Sequence, residues 1–101
     1  MNNDFGLPDR TTSELLNYFK SKPEIEKVMI FGSRAKGNYR TGSDIDFAIW
    51  KSNKLSISTI AFELDDLPTP YKFDCIDYKN LEQEGIKNSI DKDGKLFYKK
   101  N

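Results

Sequence analysis

Asp44 and Asp46 stand two residues apart in Ser43-Asp44-Ile45-Asp46-Phe47, at the head of an alternating apolar run. On a strand their side chains share a face, with Cα atoms roughly 6–7 Å apart at a rise of ~3.3 Å per residue. Two anions so placed repel each other, and a divalent cation between them relieves the repulsion. Magnesium suits such a pair, because it is a hard ion bound by one or two carboxylates together with substrate phosphates. A third carboxylate comes from Tyr71 to Tyr78, which holds both Asp74 and Asp77. Alternation lets only one of them join the cluster. Asp74, between Phe73 and Cys75 and deeper in the run, is preferred, since an aspartate within an apolar strand is costly unless paired or metal-bound.

Upstream lies Gly32-Ser33-Arg34-Ala35-Lys36-Gly37, directly after the apolar run Lys27 to Phe31. A glycine at a strand-to-turn junction lets the backbone approach a phosphate without a Cβ in the way. Ser33 falls where a helix would begin, and its hydroxyl and the N–H groups of the next turn can hold phosphate oxygens. Two of the three arginines, Arg34 and Arg40, share the stretch from Gly32 to Ser43 with Lys36, a small basic island in a chain of 16 basic and 16 acidic residues. The balanced total gives no global pull toward nucleic acid or an anionic membrane.

Absence of histidine excludes a histidine-based zinc site, a Ser-His-Asp triad and a histidine general base. The single Cys75 excludes an internal disulfide and fits a reducing compartment. Without a leader-like apolar segment near Met1 to Pro8 or a membrane-length apolar run, the expected location is the cytoplasm. A chain of 101 residues leads to the expectation of one domain spanning 1–101, with little material for a separate substrate lobe.

The elements that must position these groups follow from periodicity. Thr11 with Glu14 resembles a capping box, and Leu15, Leu16 and Phe19 predict a helix near 11–21. Strands are predicted over 27–31, 45–50 and 71–78. Ser56 caps a helix near 57–66 whose Ile57, Ile60, Ala61 and Leu64 recur at helical spacing. Asn80 and Gln83 open a weaker helix carrying Leu81, Ile86 and Ile90. Asp93-Gly94 makes a turn, and Lys95 to Lys99 forms an edge strand able to pair with a copy of itself. The expected class is α+β, a mixed sheet with helices packed on one face.

The combination Phe31-Gly32-Ser33-Arg34-Ala35-Lys36-Gly37, Ser43-Asp44-Ile45-Asp46-Phe47 and Phe73-Asp74 resembles the DNA polymerase β-like nucleotidyltransferase superfamily, close to its minimal branch. That resemblance covers about residues 27 to 78. It implies a palm-like fold and transfer of a nucleoside monophosphate, AMP from ATP, to a hydroxyl. It further implies that Asp44 and Asp46 bind two magnesium ions, that Asp74 completes the metal site and helps activate the attacking hydroxyl, and that Gly32 and Ser33 contact phosphate. Arg34, Lys36 and Ser43 are added as phosphate-binding candidates. Minimal members accompany a helical HEPN-domain protein as antitoxins, which implies such a partner here. A chain that only binds its partner or a nucleotide, without chemistry, is the alternative. Ile57, Phe62, Trp50 and Leu96 to Tyr98 are candidates for an apolar contact surface, and RNA is disfavoured by the scarcity of arginine.

Overall fold

The computed structural model describes residues 5–40 and 42–101; the polar start 1–4 and Thr41, both within segments discussed above, lie outside the described residues. Among the described residues four helices and four strands follow in the order α1 (Asp9–Lys20), β1 (Ile25–Phe31), α2 (Ser33–Lys36), β2 (Ile45–Lys51), α3 (Ile57–Asp65), β3 (Phe73–Asp77), α4 (Glu84–Asp93) and β4 (Lys95–Lys99). A short 3₁₀ turn, Tyr78–Asn80, separates β3 from α4. The sheet order is β3-β2-β1-β4. β1 pairs antiparallel with β2 and β4, whereas β2 and β3 are parallel and joined through α3. Such a parallel pair needs a crossover, which α3 supplies.

α1 starts earlier than the capping-box reading placed it. Pro8, with φ −59°, precedes the first helical residue, and Asp9 sits in the first turn, where the helix dipole favours an anion. Thr11 and Thr12 are buried inside the helix instead of capping it. Leu15, Tyr18 and Phe19 form its buried stripe. α3 begins as its sequence indicates, with the Ser56 side chain accepting the Thr59 N–H at 3.1 Å, and buries Ile60 and Leu64.

These two helices cover the sheet face carrying Val28, Ile30, Ile45, Phe47 and Ile49, all fully buried. Phe19 is the hub of this core. Its ring lies edge-on to Phe47 at 5.4 Å and to Phe97 at 6.1 Å, and tilted against Tyr98 at 5.8 Å. Phe97 and Tyr98 are adjacent in sequence and would face opposite ways on a regular strand. A register shift between Val28 and Met29 leaves Phe97 as an extra residue on β4, and that bulge lets both rings reach the core. α4 adds a smaller cover on the other face. It buries Ile90 and ends with Gly94 close to Met29, which alternates with Val28 and Ile30. Among the described residues no helix is long and apolar enough to cross a membrane.

Candidate active site

β1 ends at Phe31, and the chain turns at Gly32 with φ 75° and ψ −152°. That backbone region is open essentially to glycine alone. A Cβ at Gly32 would collide with Asp46 Oδ2, so the turn lies directly against that carboxylate. Ser33 opens α2, where the ladder begins with Lys36 N–H donating to the Gly32 carbonyl at 3.1 Å. The N–H groups of Ser33, Arg34 and Ala35 therefore precede the ladder, as the first N–H groups of any helix do.

The sheet register sets the acidic groups beside this turn. Phe31 pairs with Asp46 across β1 and β2, and Asp46 pairs with Asp74 across β2 and β3. Burial pushes the Asp46 carboxyl up to about 6, aided by the charges of Asp74 and Asp44 and by a hydrogen bond with Asp74. Asp44 lies one residue ahead of β2 and is exposed, yet its charge is felt at Asp46. Among the described residues no three His, Cys, Asp or Glu side chains are drawn together into a metal-ligand set; the close contact is the pair Asp46 and Asp74. The donors nevertheless suit magnesium. They are all oxygen, and the like-charge repulsion at Asp46 is the kind that a divalent cation relieves.

Asp77 faces the other way, as alternation requires. It pairs with Lys51 Nζ at 3.2 Å and accepts the Asn80 Nδ2 group at 2.9 Å. The burial argument used to prefer Asp74 is corrected here: Asp74 is exposed, and Asp77 is the half-buried member. Asp77 meets the cost of burial with Lys51, whose side chain is only 4% exposed. No sequence signal marked Lys51, because its partner lies on a parallel strand 26 positions on.

Arg34 is also corrected. Its side chain is buried, with Nη1 donating to the Phe5 carbonyl at 2.8 Å and Nε and Nη2 donating to the Ser43 carbonyl at 3.3 and 3.0 Å. The guanidinium also lies 5.0 Å from the Tyr39 ring and 5.1 Å from the Tyr71 ring. It is committed to the protein, and it ties the loop before Asp44 to α2 and to the N-terminal segment. Ser43 belongs to the same loop architecture, its hydroxyl accepting the Arg40 N–H at 2.8 Å. Lys36 is exposed and loosely paired with Asp93 at 3.8 Å. Arg34→Lys keeps the charge and loses the fork; thermal unfolding should show a loss of about 2 kcal/mol. An unchanged melting temperature would contradict the clamp.

The family model for polymerase β, nucleotidyltransferase, matches residues 13–101. The chain belongs to this nucleotidyltransferase family. No curated protein matches the sequence significantly. Solved structures resemble this nucleotidyltransferase domain over most of its length. One is a candidate nucleotidyltransferase from Sulfolobus solfataricus, 27% identical, with 87% of this chain and 76% of that chain covered and a TM-score of 0.55. A toxin–antitoxin structure with AMP-PNP is 21% identical, covers 93% and 75% of the two chains and has a TM-score of 0.62. A tri-AMPylated Shewanella oneidensis HEPN toxin in complex with its MNT antitoxin gives 16% identity, 90% and 71% coverage and a TM-score of 0.66. At such identities the last two relate this nucleotidyltransferase to their fold.

Proposed function

We propose that this chain transfers AMP from ATP to a hydroxyl of a helical HEPN-type partner, as the antitoxin of a cytoplasmic toxin–antitoxin pair. The observation that carries the reading is the row formed by the Gly32 turn, Asp46 and Asp74, three neighbours across two strand pairings. The family supports nucleotidyl transfer as the reaction class. The fold neighbours solved with AMP-PNP and with an AMPylated HEPN toxin support the choice of nucleotide and of partner. Phe62, 76% exposed on α3, and Leu96, 55% exposed on β4, offer apolar contact to a partner, in line with a chain that borrows its acceptor.

Asp44 and Asp46 would hold magnesium, and Asp74 would complete the site. When bound, the ions neutralise the triphosphate and the departing pyrophosphate. Gly32 and Ser33 present the start of α2 to the phosphates. Asp74 takes the proton of the incoming hydroxyl, a role supported by its exposure and by its pairing with Asp46. The hydroxyl oxygen bonds the α-phosphorus, the bond to the bridging oxygen of the β-phosphate breaks, and pyrophosphate leaves. Incubation with labelled ATP, magnesium and the helical partner should place the label on that partner. Absence of transfer with all four common ribonucleoside triphosphates would sink the catalytic reading in favour of a binding-only antitoxin.

A further inference from the structure

We propose that Lys92 and Lys95 join Lys36 to form a seat for the terminal phosphates of the nucleoside triphosphate. This deepens the nucleotidyl-transfer reading and rests on it. An open depression of about 420 Å³ beside α2 is lined by Ala35, Lys36, Lys92, Asp93, Gly94 and Lys95. The three lysines come from three separate elements: the end of α2, the last turn of α4 and the first residue of β4. The chain as a whole is neutral, so three lysines against one aspartate in this lining is a local concentration of charge.

The sheet explains why that charge lies where a triphosphate would extend. β4 runs antiparallel to β1, and Lys95 pairs with Ile30, two residues before Gly32. One end of the sheet therefore carries, strand by strand, Asp74, Asp46, the Gly32–Ser33 turn and Lys95. At a strand spacing of ~4.8 Å, the Cα atoms of Asp46 and Lys95 are separated by roughly 10 Å; Lys95 shares the face of its partner Ile30, opposite Asp46, and lines the depression as the first residue of β4. α4 ends against Met29, on the sheet face that also carries Asp46, so Lys92 and Lys36 lie on the site's side of the sheet. Among the described residues Lys36 is held only by the loose 3.8 Å pair with Asp93. A phosphate carrying two or more charges competes readily with one half-buried carboxylate, 3.8 Å away, for that exposed ammonium.

Calorimetric titration of the full chain with magnesium and four probes, ATP, AMP, pyrophosphate and a single-stranded RNA, tests the seat. Lys92→Ala with Lys95→Ala should weaken ATP and pyrophosphate about tenfold and leave AMP unchanged, while Asp93→Asn should tighten pyrophosphate. Lys92→Gln with Lys95→Gln serves as a second variant if the alanine pair does not fold. Equal ATP affinity in wild type and folded variant, or an equal loss for AMP, overturns the seat. Loss of single-stranded RNA binding with ATP binding intact overturns it too, by making the depression a nucleic-acid surface. A wild type that transfers nucleotide while the variant holds ATP normally removes the seat and keeps the reading. A variant that loses pyrophosphate affinity, beside a wild type that never transfers nucleotide, removes the reading and keeps the anion site. A wild type that binds neither ATP nor pyrophosphate removes both.

Discussion

Asp46→Asn should lower nucleotidyl transfer by at least about a thousandfold while making the metal-free protein more stable at pH 7. The loss follows from removing the carboxylate proposed to hold magnesium at the centre of the row, where roughly 4 kcal/mol of transition-state stabilisation corresponds to a factor of a thousand. The gain follows from the raised Asp46 carboxyl, pushed up to about 6 by burial and then by Asp74 and Asp44. An unfolded aspartate titrates near 3.9, so the folded state binds this proton more tightly than the unfolded chain. The resulting penalty is absent at low pH, grows between about 4 and 6 and is complete above that window. Because the carboxyl is half-exposed, the full shift is screened, and about 1 kcal/mol at pH 7 is the expected gain. Melting curves of wild type and variant at pH 3.5 and pH 7, with and without magnesium and nucleotide, check both signs. Magnesium with nucleotide should stabilise wild type by linkage and leave the variant unmoved. A variant that responds to magnesium as wild type does would refute metal binding at Asp46.

Gly32→Ala should damage stability and activity together. The backbone at φ 75° and ψ −152° costs a residue with a Cβ about 1–3 kcal/mol, and the new methyl would also meet Asp46 Oδ2. Asp46 cannot retreat freely, since Asp74 adjoins it on one side. The turn must therefore open or the carboxylate must swing, and either disturbs the place where phosphate and metal would meet. Thermal unfolding should show a loss of about 3 kcal/mol or more, and transfer should fall at least about a hundredfold. Gly37→Ala is the control: its φ of 85° is also strained, yet no atom lies near its missing Cβ, so stability falls while transfer persists. Equal activity loss in both variants would remove the claim that contact with Asp46 is what Gly32 provides.

The strands and the crossover helix were legible because their signals are local: alternation in 45–50, the helical spacing of Ile57, Ile60 and Leu64, and the Ser56 cap. The antiparallel partner extends β1 two residues earlier than its apolar run, to Ile25, which pairs with Lys51. α2 is a single turn, too short for any periodicity to announce. Spacing placed the aspartates in order along the chain. What spacing could not reveal was which charges are consumed by the fold. Arg34 reads as a basic residue in a phosphate loop, and only the arrival of Phe5, Tyr39 and Tyr71 from elsewhere turns it inward. Asp77 reads as a rival to Asp74 until Lys51 is seen beneath it.

The Lys51–Asp77 pair lies at the far end of the two parallel strands whose near end presents Asp46 and Asp74. A slip of β3 by one residue would swap its faces, turning Asp74 inward and offering Phe73 or Cys75 in its place. The same slip would strand a lysine and an aspartate apart in a nearly dry environment. The ion pair thus works as an alignment pin, and it frees the joining segment from that duty: the length and composition of the stretch from Leu67 to Tyr71 can change without moving Asp74 from its place beside Asp46.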